Sequence, residues 1–378
     1  MLSGRLVRSS DGISCTGSAS GDAAFADGGC YAVAYGTNLW VAGGYGSGHK
    51  IATSSDGVSW TGRASSDLAF YGGGCSTVAY GNGLWVAGGG PGEEGGYSAH
   101  LIATSSDGVE WTGSTSGDAA FTGGGCYAVA YGTNLWVAGG YGGAHKIATS
   151  SDGVSWTGSA SGDLAFTGGG CNAVAYGNGL WVAGGSGIDH KIATSSDGVS
   201  WTGSASGDLV FAGNFGRCNA VAYNGTNLWV AGGNGDAHNI AYSSDGISWT
   251  GSASGDLAFA GGLCLAVAYG NGLWVAGGGG DGSANQIAYS SDGVSWTGST
   301  SGDLAFAGSY GACRAVAYNG IAGASGLWVF GGYGAIIPPE PEPTPIVQPP
   351  VFFQQQVISS FNIFQTNFSG MGNLGEYY

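Results

Sequence analysis

The residues that could do chemistry recur in sets. Ser-Ser-Asp-Gly places an aspartate at 11, 56, 107, 152, 197, 245 and 292, and a second aspartate recurs in Gly-Asp-Leu-Ala-Phe, as at Asp163 to Phe166. Five histidines stand at 49, 100, 145, 190 and 238. Carboxylates and imidazoles are the groups of general acid–base and metal chemistry. Glycoside hydrolysis needs two carboxylates doing different work on opposite sides of one bond. Residues 1–335 contain only Glu93, Glu94 and Glu110 as glutamates, and the five arginines (5, 8, 63, 217 and 314) fall at different points of the repeat. A nucleophile, an acid and an orienting group must be unlike residues converging on one spot. Equivalent residues spread over equivalent repeats do not supply that, so the sequence predicts no enzyme and no catalytic residue.

The histidines precede a strand in five repeats, with Asn285 and Gly4 at the two other equivalent positions. Reversal of the chain at every hairpin puts them on the same face as the Gly-Asp-Leu-Ala-Phe connections. One His and one Asp per repeat, with Asp189, Asp236 and Asp281 nearby, would offer oxygen-rich donors of the kind calcium takes. A hydrogen-bonding cap is the plainer role, and neither a metal nor a cofactor is expected. Seven cysteines (30, 75, 126, 171, 218, 264 and 313) occur once per repeat, with no Cys-x-x-Cys spacing. An odd ring of thiols cannot form a complete disulfide framework, so buried free thiols are expected.

Leu-Trp-Val recurs with its Trp at 40, 85, 136, 181, 229, 274 and 328, which fixes a repeat of 45 to 54 residues. Within one unit, Cys171–Tyr176 and Leu180–Ala183 read as strands joined by the turn signal Gly177-Asn-Gly179. Lys191–Ser195 and Val199–Thr202 read as two more, joined at Asp197-Gly198. Four antiparallel strands per repeat is the size of a propeller blade. The second hairpin of the repeat appears first at Arg5–Thr16, before any first hairpin, and the last first-hairpin, Cys313–Gly332, has no second hairpin after it. Joining the two orphans completes a blade and removes the open edges. The prediction is an all-β fold: a seven-bladed β-propeller of four-stranded antiparallel blades over 1–335, closed by its N-terminal and C-terminal hairpins. All thirteen tryptophans are expected in strands, seven in Leu-Trp-Val and six at 60, 111, 156, 201, 249 and 296. They are read as inter-blade packing rather than sugar platforms.

Ser-Ser-Asp-Gly-Val-Ser-Trp, as at 195–201, resembles the Asp-box of sialidase-like propellers, with the Asp and Gly adjacent rather than separated by one residue. The longer unit, Ile240–Trp249 joined to Leu-Trp-Val-Ala-Gly-Gly, resembles uncharacterised propeller repeats of large DNA viruses and marine microbes. The resemblance covers residues 5–334 and implies a folding role for the box Asp and Ser, bonding the turn backbone.

A net charge of −16, from 24 acidic and 8 basic residues, excludes general nucleic-acid binding. No apolar run is long enough to span a membrane as a helix, and Met1–Ser9 lacks the apolar stretch of a secretory signal. The repeats differ mainly in loops on one face: the insertion Gly90–Tyr97, Asn214-Phe-Gly-Arg217 and Ser309-Tyr-Gly-Ala312. Loop variation on a rigid scaffold is where ligand specificity resides, so Tyr71, Phe215, Arg217 and Tyr310 are the candidate ligand-binding residues. After Gly334 the composition shifts. Residues 336–350 hold seven of the eight prolines and read as a stiff linker. Residues 351–378 read as a docking arm through Val351, Phe352, Phe353, Val357, Phe361, Phe364 and Phe368. The function expected from the sequence is a non-catalytic propeller held by this arm on a larger assembly, with a capsid or filament subunit as partner, at a virion surface or outside the cell. A free lectin binding glycans at repeated sites is the alternative, and a sialidase-like hydrolase the third reading.

Overall fold

The computed structural model describes residues 2–91, 98–280, 283–308, 310–320 and 326–335. The chain divides into two units, Met1–Ile336 and Ile337–Tyr378. The second, which carries Val351 through Phe368, lies outside the described residues.

The first unit is built of four-stranded antiparallel sheets. Five stand alone, and an eight-stranded sheet consists of two further four-stranded units joined by the single pairing Gly279–Ala312. In a representative blade the strands are Cys171–Gly177, Leu180–Gly185, Ile192–Ser195 and Thr202–Gly203, ordered as in the chain. Asn178 and Gly179 both have positive φ, 50° and 76°, the requirement of the tight hairpin that joins the first two strands.

Closure follows the predicted scheme. The N-terminal strand Leu2–Ser9 pairs antiparallel with Trp328–Ala335, in the register Arg5–Gly332 and Ser9–Trp328. The last blade also packs against the first, Gly331 facing the thiol of Cys30 so closely that a Cβ there would lie 2.5 Å from Sγ. No open sheet edge is left at the seam.

Two local details differ from the sequence reading. The outer strand is only Thr202–Gly203, because Asp197 Oδ1 accepts the amides of Val199 and Ser200 at 2.8 and 2.7 Å and so holds Val199–Ser200 in the turn. The connection carrying Gly-Asp-Leu-Ala-Phe is not a plain loop. It contains a short helix, Ala160–Ala165 in this blade, capped by Ser159, whose hydroxyl accepts the Gly162 amide at 3.1 Å.

The tryptophans are structural. Those of Leu-Trp-Val are fully buried, and those of the outer position nearly so. Trp181 sits opposite Tyr176 across the inner hairpin, with ring centroids 4.9 Å apart, and the same pair recurs in every blade. Each such pair contributes about 0.5–1.5 kcal/mol beyond the area it buries. Ser-x-Ser at the start of six of the seven short helices ties neighbouring blades, as where Ser159 and Ser161 both donate to the carbonyl of Val199, at 2.6 and 3.0 Å; the helix Ala64–Ala69 has Arg63 in the first of the two places.

Candidate functional site at the axial mouth

Each innermost strand carries a β-bulge directly after its cysteine. Cys171 pairs with Gly185 and Ala173 with Gly184, so Asn172 is the extra residue. The same shift recurs in the other six blades. The thiol reinforces it, donating to the carbonyl two residues on (Cys171 Sγ to Ala173, 3.4 Å). A bulge re-aims one side chain out of the strand's alternation, and here the re-aimed residue lines the axis. The bulge residues Tyr31, Ser76, Tyr127, Asn219, Leu265 and Arg314 line a cavity of about 380 Å³, and Asn172 lines the adjoining one of about 280 Å³. Deeper in the channel the walls are valine and alanine, Val33, Val129 and Val316 among them.

The cysteines themselves face away from the axis, into the gap between blades. Burial raises their thiol pKa values, that of Cys75 to about 12. All eight cysteines of the chain are free.

Near-identical blades thus present unlike groups at one level of the axis. Arg314 organises the mouth. Its guanidinium lies 5.1 Å from the ring centroids of both Tyr31 and Tyr333, and Nη2 donates to the Tyr333 hydroxyl at 3.1 Å. Asn219 Nδ2 donates to the carbonyl of Cys264 in the next blade at 3.1 Å. No carboxylate lines either cavity among the described residues.

Of the residues singled out in the sequence, Arg217 lines the mouth, its Nε donating to Asn234 Oδ1 at 2.9 Å. Phe215 is exposed at the rim, and its carbonyl accepts Asn234 Nδ2 at 2.9 Å, which links its loop to Arg217. Tyr71 and Tyr310 are exposed and do not line the cavity. The bulge residues were missed by the sequence reading, although a signal existed: the position after each cysteine reads Tyr, Ser, Tyr, Asn, Asn, Leu, Arg while its neighbours hardly change.

The histidines act as caps. His145 Nδ1 lies 2.8 Å from Asp163 Oδ2, and Asp163 Oδ1 accepts the Lys146 amide at 2.6 Å. A carboxylate only accepts, so Nδ1 carries the proton. The ring lies against Gly158 so tightly that a Cβ there would fall 2.0 Å from it. The pair recurs at His49–Asp67, His100–Asp118, His190–Asp208 and His238–Asp256, while Arg5 takes the place of His on Asp22. With both oxygens of Asp163 engaged, the pair is a clip between the short helix and the start of the preceding third strand, Ile147–Ser150. Asp281, invoked with these loops, lies outside the described residues, as do Glu93 and Glu94. A second, shallower hollow lies on the rim between Leu68, His100 and Trp111.

No protein-family profile matches the sequence, and no curated protein is significantly similar to it. Among solved structures, the chain is similar to a thermostable family-43 glycoside hydrolase (14% identity, 60% of this chain and 93% of that one, TM-score 0.35). It is similar to an exo-β-1,3-galactanase from Phanerochaete chrysosporium (10%, 84% and 94%, TM-score 0.34). It is also similar to the Trypanosoma rangeli sialidase (13%, 81% and 55%, TM-score 0.41). At these identities the likeness is one of fold alone, a β-propeller. These neighbours are glycoside hydrolases, against the expectation of a non-catalytic module, whether tethered or lectin-like.

Proposed function

We propose that the protein is a glycoside-hydrolase-like propeller that takes a saccharide into its axial mouth. The observation that carries this reading is the ring of bulges, which aims a different side chain at the axis from each blade. A cavity of about 380 Å³ falls within the roughly 300–1,000 Å³ of small-ligand sites. Tyr31 and Tyr127 supply ring surfaces of the kind that pack on the C–H face of a pyranose. Ser76 and Asn219 supply a hydroxyl and an amide, which can both donate to and accept from sugar hydroxyls. The lining itself therefore binds and orients. Placement outside the cell, where glycans are displayed, belongs to the same proposal.

Calorimetric titration of the full chain with a panel of oligosaccharides tests binding, and release of fluorophore from methylumbelliferyl glycosides tests turnover. Tyr31→Ala and Asn219→Ala should each weaken saccharide binding by about tenfold with the melting temperature held. Binding by neither the parent chain nor its variants, or equal binding by all of them, would overturn the reading.

A further inference from the structure

We infer that the saccharide taken at the axial mouth carries a negative charge, as a carboxylate or a sulfate ester; this rests on the reading above and narrows its substrate class. The chain has 8 basic residues against 24 acidic ones. Nevertheless two of its five arginines, Arg217 and Arg314, line one cavity of about 280 Å³ together with Asn172, Asn219 and Tyr333. The two come from different blades and from different positions of the repeat, so the repeat itself does not dictate their meeting.

Their partners are neutral. Arg5 pairs with Asp22 at 2.8 Å, whereas among the described residues neither Arg217 nor Arg314 has a carboxylate partner. Arg217 donates to the Asn234 amide oxygen and Arg314 to the Tyr333 hydroxyl, and the planes of Tyr31 and Tyr333 flank Arg314. These contacts position each guanidinium while using one of its five N–H groups. A planar donor fork held this way matches a carboxylate or sulfate. An anion approaching a chain of net charge −16 meets repulsion except where such a pair of cations stands without counter-charge.

The test titrates the full chain with three oligosaccharides of equal length: oligogalacturonate, which carries carboxylates; a sulfated galactan oligosaccharide without carboxylate; and a neutral galactan oligosaccharide. At least one charged ligand is expected to bind about tenfold or more tighter than the neutral one, and the better of the two identifies the charged group. That advantage should shrink as salt rises from 50 to 500 mM. Arg314→Ala and Arg217→Ala should each cost about ten- to a hundredfold for the charged ligand and little for the neutral one. Arg314→Lys, which keeps the charge without the fork, should fall between. Should Arg314→Ala not fold, Arg217→Ala and Arg314→Lys carry the test. Charged and neutral ligands bound equally, or arginine variants without effect, would overturn the charge assignment and leave the axial site standing. Binding of none of the three would overturn the axial site and the charge assignment with it.

Discussion

The guanidinium of Arg314 rests 5.1 Å from the ring centroid of Tyr31, and these two residues belong to opposite ends of the propeller sequence. Arg314 is the bulge residue of the last blade and Tyr31 that of the first. They meet only because the N-terminal strand Leu2–Ser9 zips onto Trp328–Ala335 and closes the ring. Closure therefore does more than hide an edge: it brings Arg314 and Tyr31 together at the mouth.

Removing residues 1–17 should expose the backbone edge of Trp328–Ala335 and separate Arg314 from Tyr31 together. The expected outcome is oligomers on size-exclusion chromatography, a broadened thermal transition and loss of saccharide binding. A monomer with unchanged melting would show that the seam contributes little.

A box glycine and a hairpin glycine offer a paired test of packing against backbone strain. Gly198 has φ of +75° and a Cβ there would lie 2.6 Å from Leu135 Cδ2 in the preceding blade, whereas Gly179, at +76°, has nothing within 4 Å. Gly179→Ala should cost about 1–2 kcal/mol, the left-handed penalty alone. Gly198→Ala should cost about 1–3 kcal/mol more from overpacking. Denaturant unfolding of the two variants checks the difference.

Acid should loosen the turns together. The amide of Ser59, then that of Val58 and the hydroxyl of Ser54, hold Asp56 down to about 2, and Asp152, Asp245 and Asp292 are held at a similar value in the same way. A carboxyl depressed in the folded state binds its proton more readily when unfolded, so its contribution is complete above an unfolded pKa of about 4. It is lost as pH falls through the folded value. The melting temperature should be flat above pH 5 and drop between about pH 4 and 2. Asp152→Asn should lower it at pH 7 and reduce the further loss at pH 2.5.

The thiols should be silent until the ring opens. Cys30, Cys75 and their five equivalents are fully buried, and only Cys15 is partly exposed. At pH 8 the native chain should react with a thiol reagent slowly and first at Cys15, the remaining seven reacting on unfolding. Rapid native labelling at Cys171 would mean that blades part more readily than their packing implies.

The repeat made the hairpins and the closure legible, since two orphan half-blades at the ends can only complete one another. The helix Ala160–Ala165 was not legible, because six residues show no usable periodicity and its clearest mark is the cap at Ser159. The shortening of the outer strand depends on where Asp197 sends its oxygen, which spacing alone does not reveal. The bulges are the instructive case. An inserted residue in Cys-Asn-Ala-Val leaves no break in composition, so Asn172 reads as an ordinary strand position. Its equivalents stand out only when the seven repeats are compared at that one column. Loop variation marks Arg217, whereas Arg314, its companion at the mouth, follows a cysteine inside a strand and carries no loop signal.

Where a saccharide sits is the most direct test of the account. A crystal of the full chain soaked with a bound oligosaccharide should show sugar density at the axis, within hydrogen-bonding distance of Arg314 and Asn219 and against the ring of Tyr31. Density confined to the rim hollow between Leu68, His100 and Trp111, with the axis empty, would contradict it.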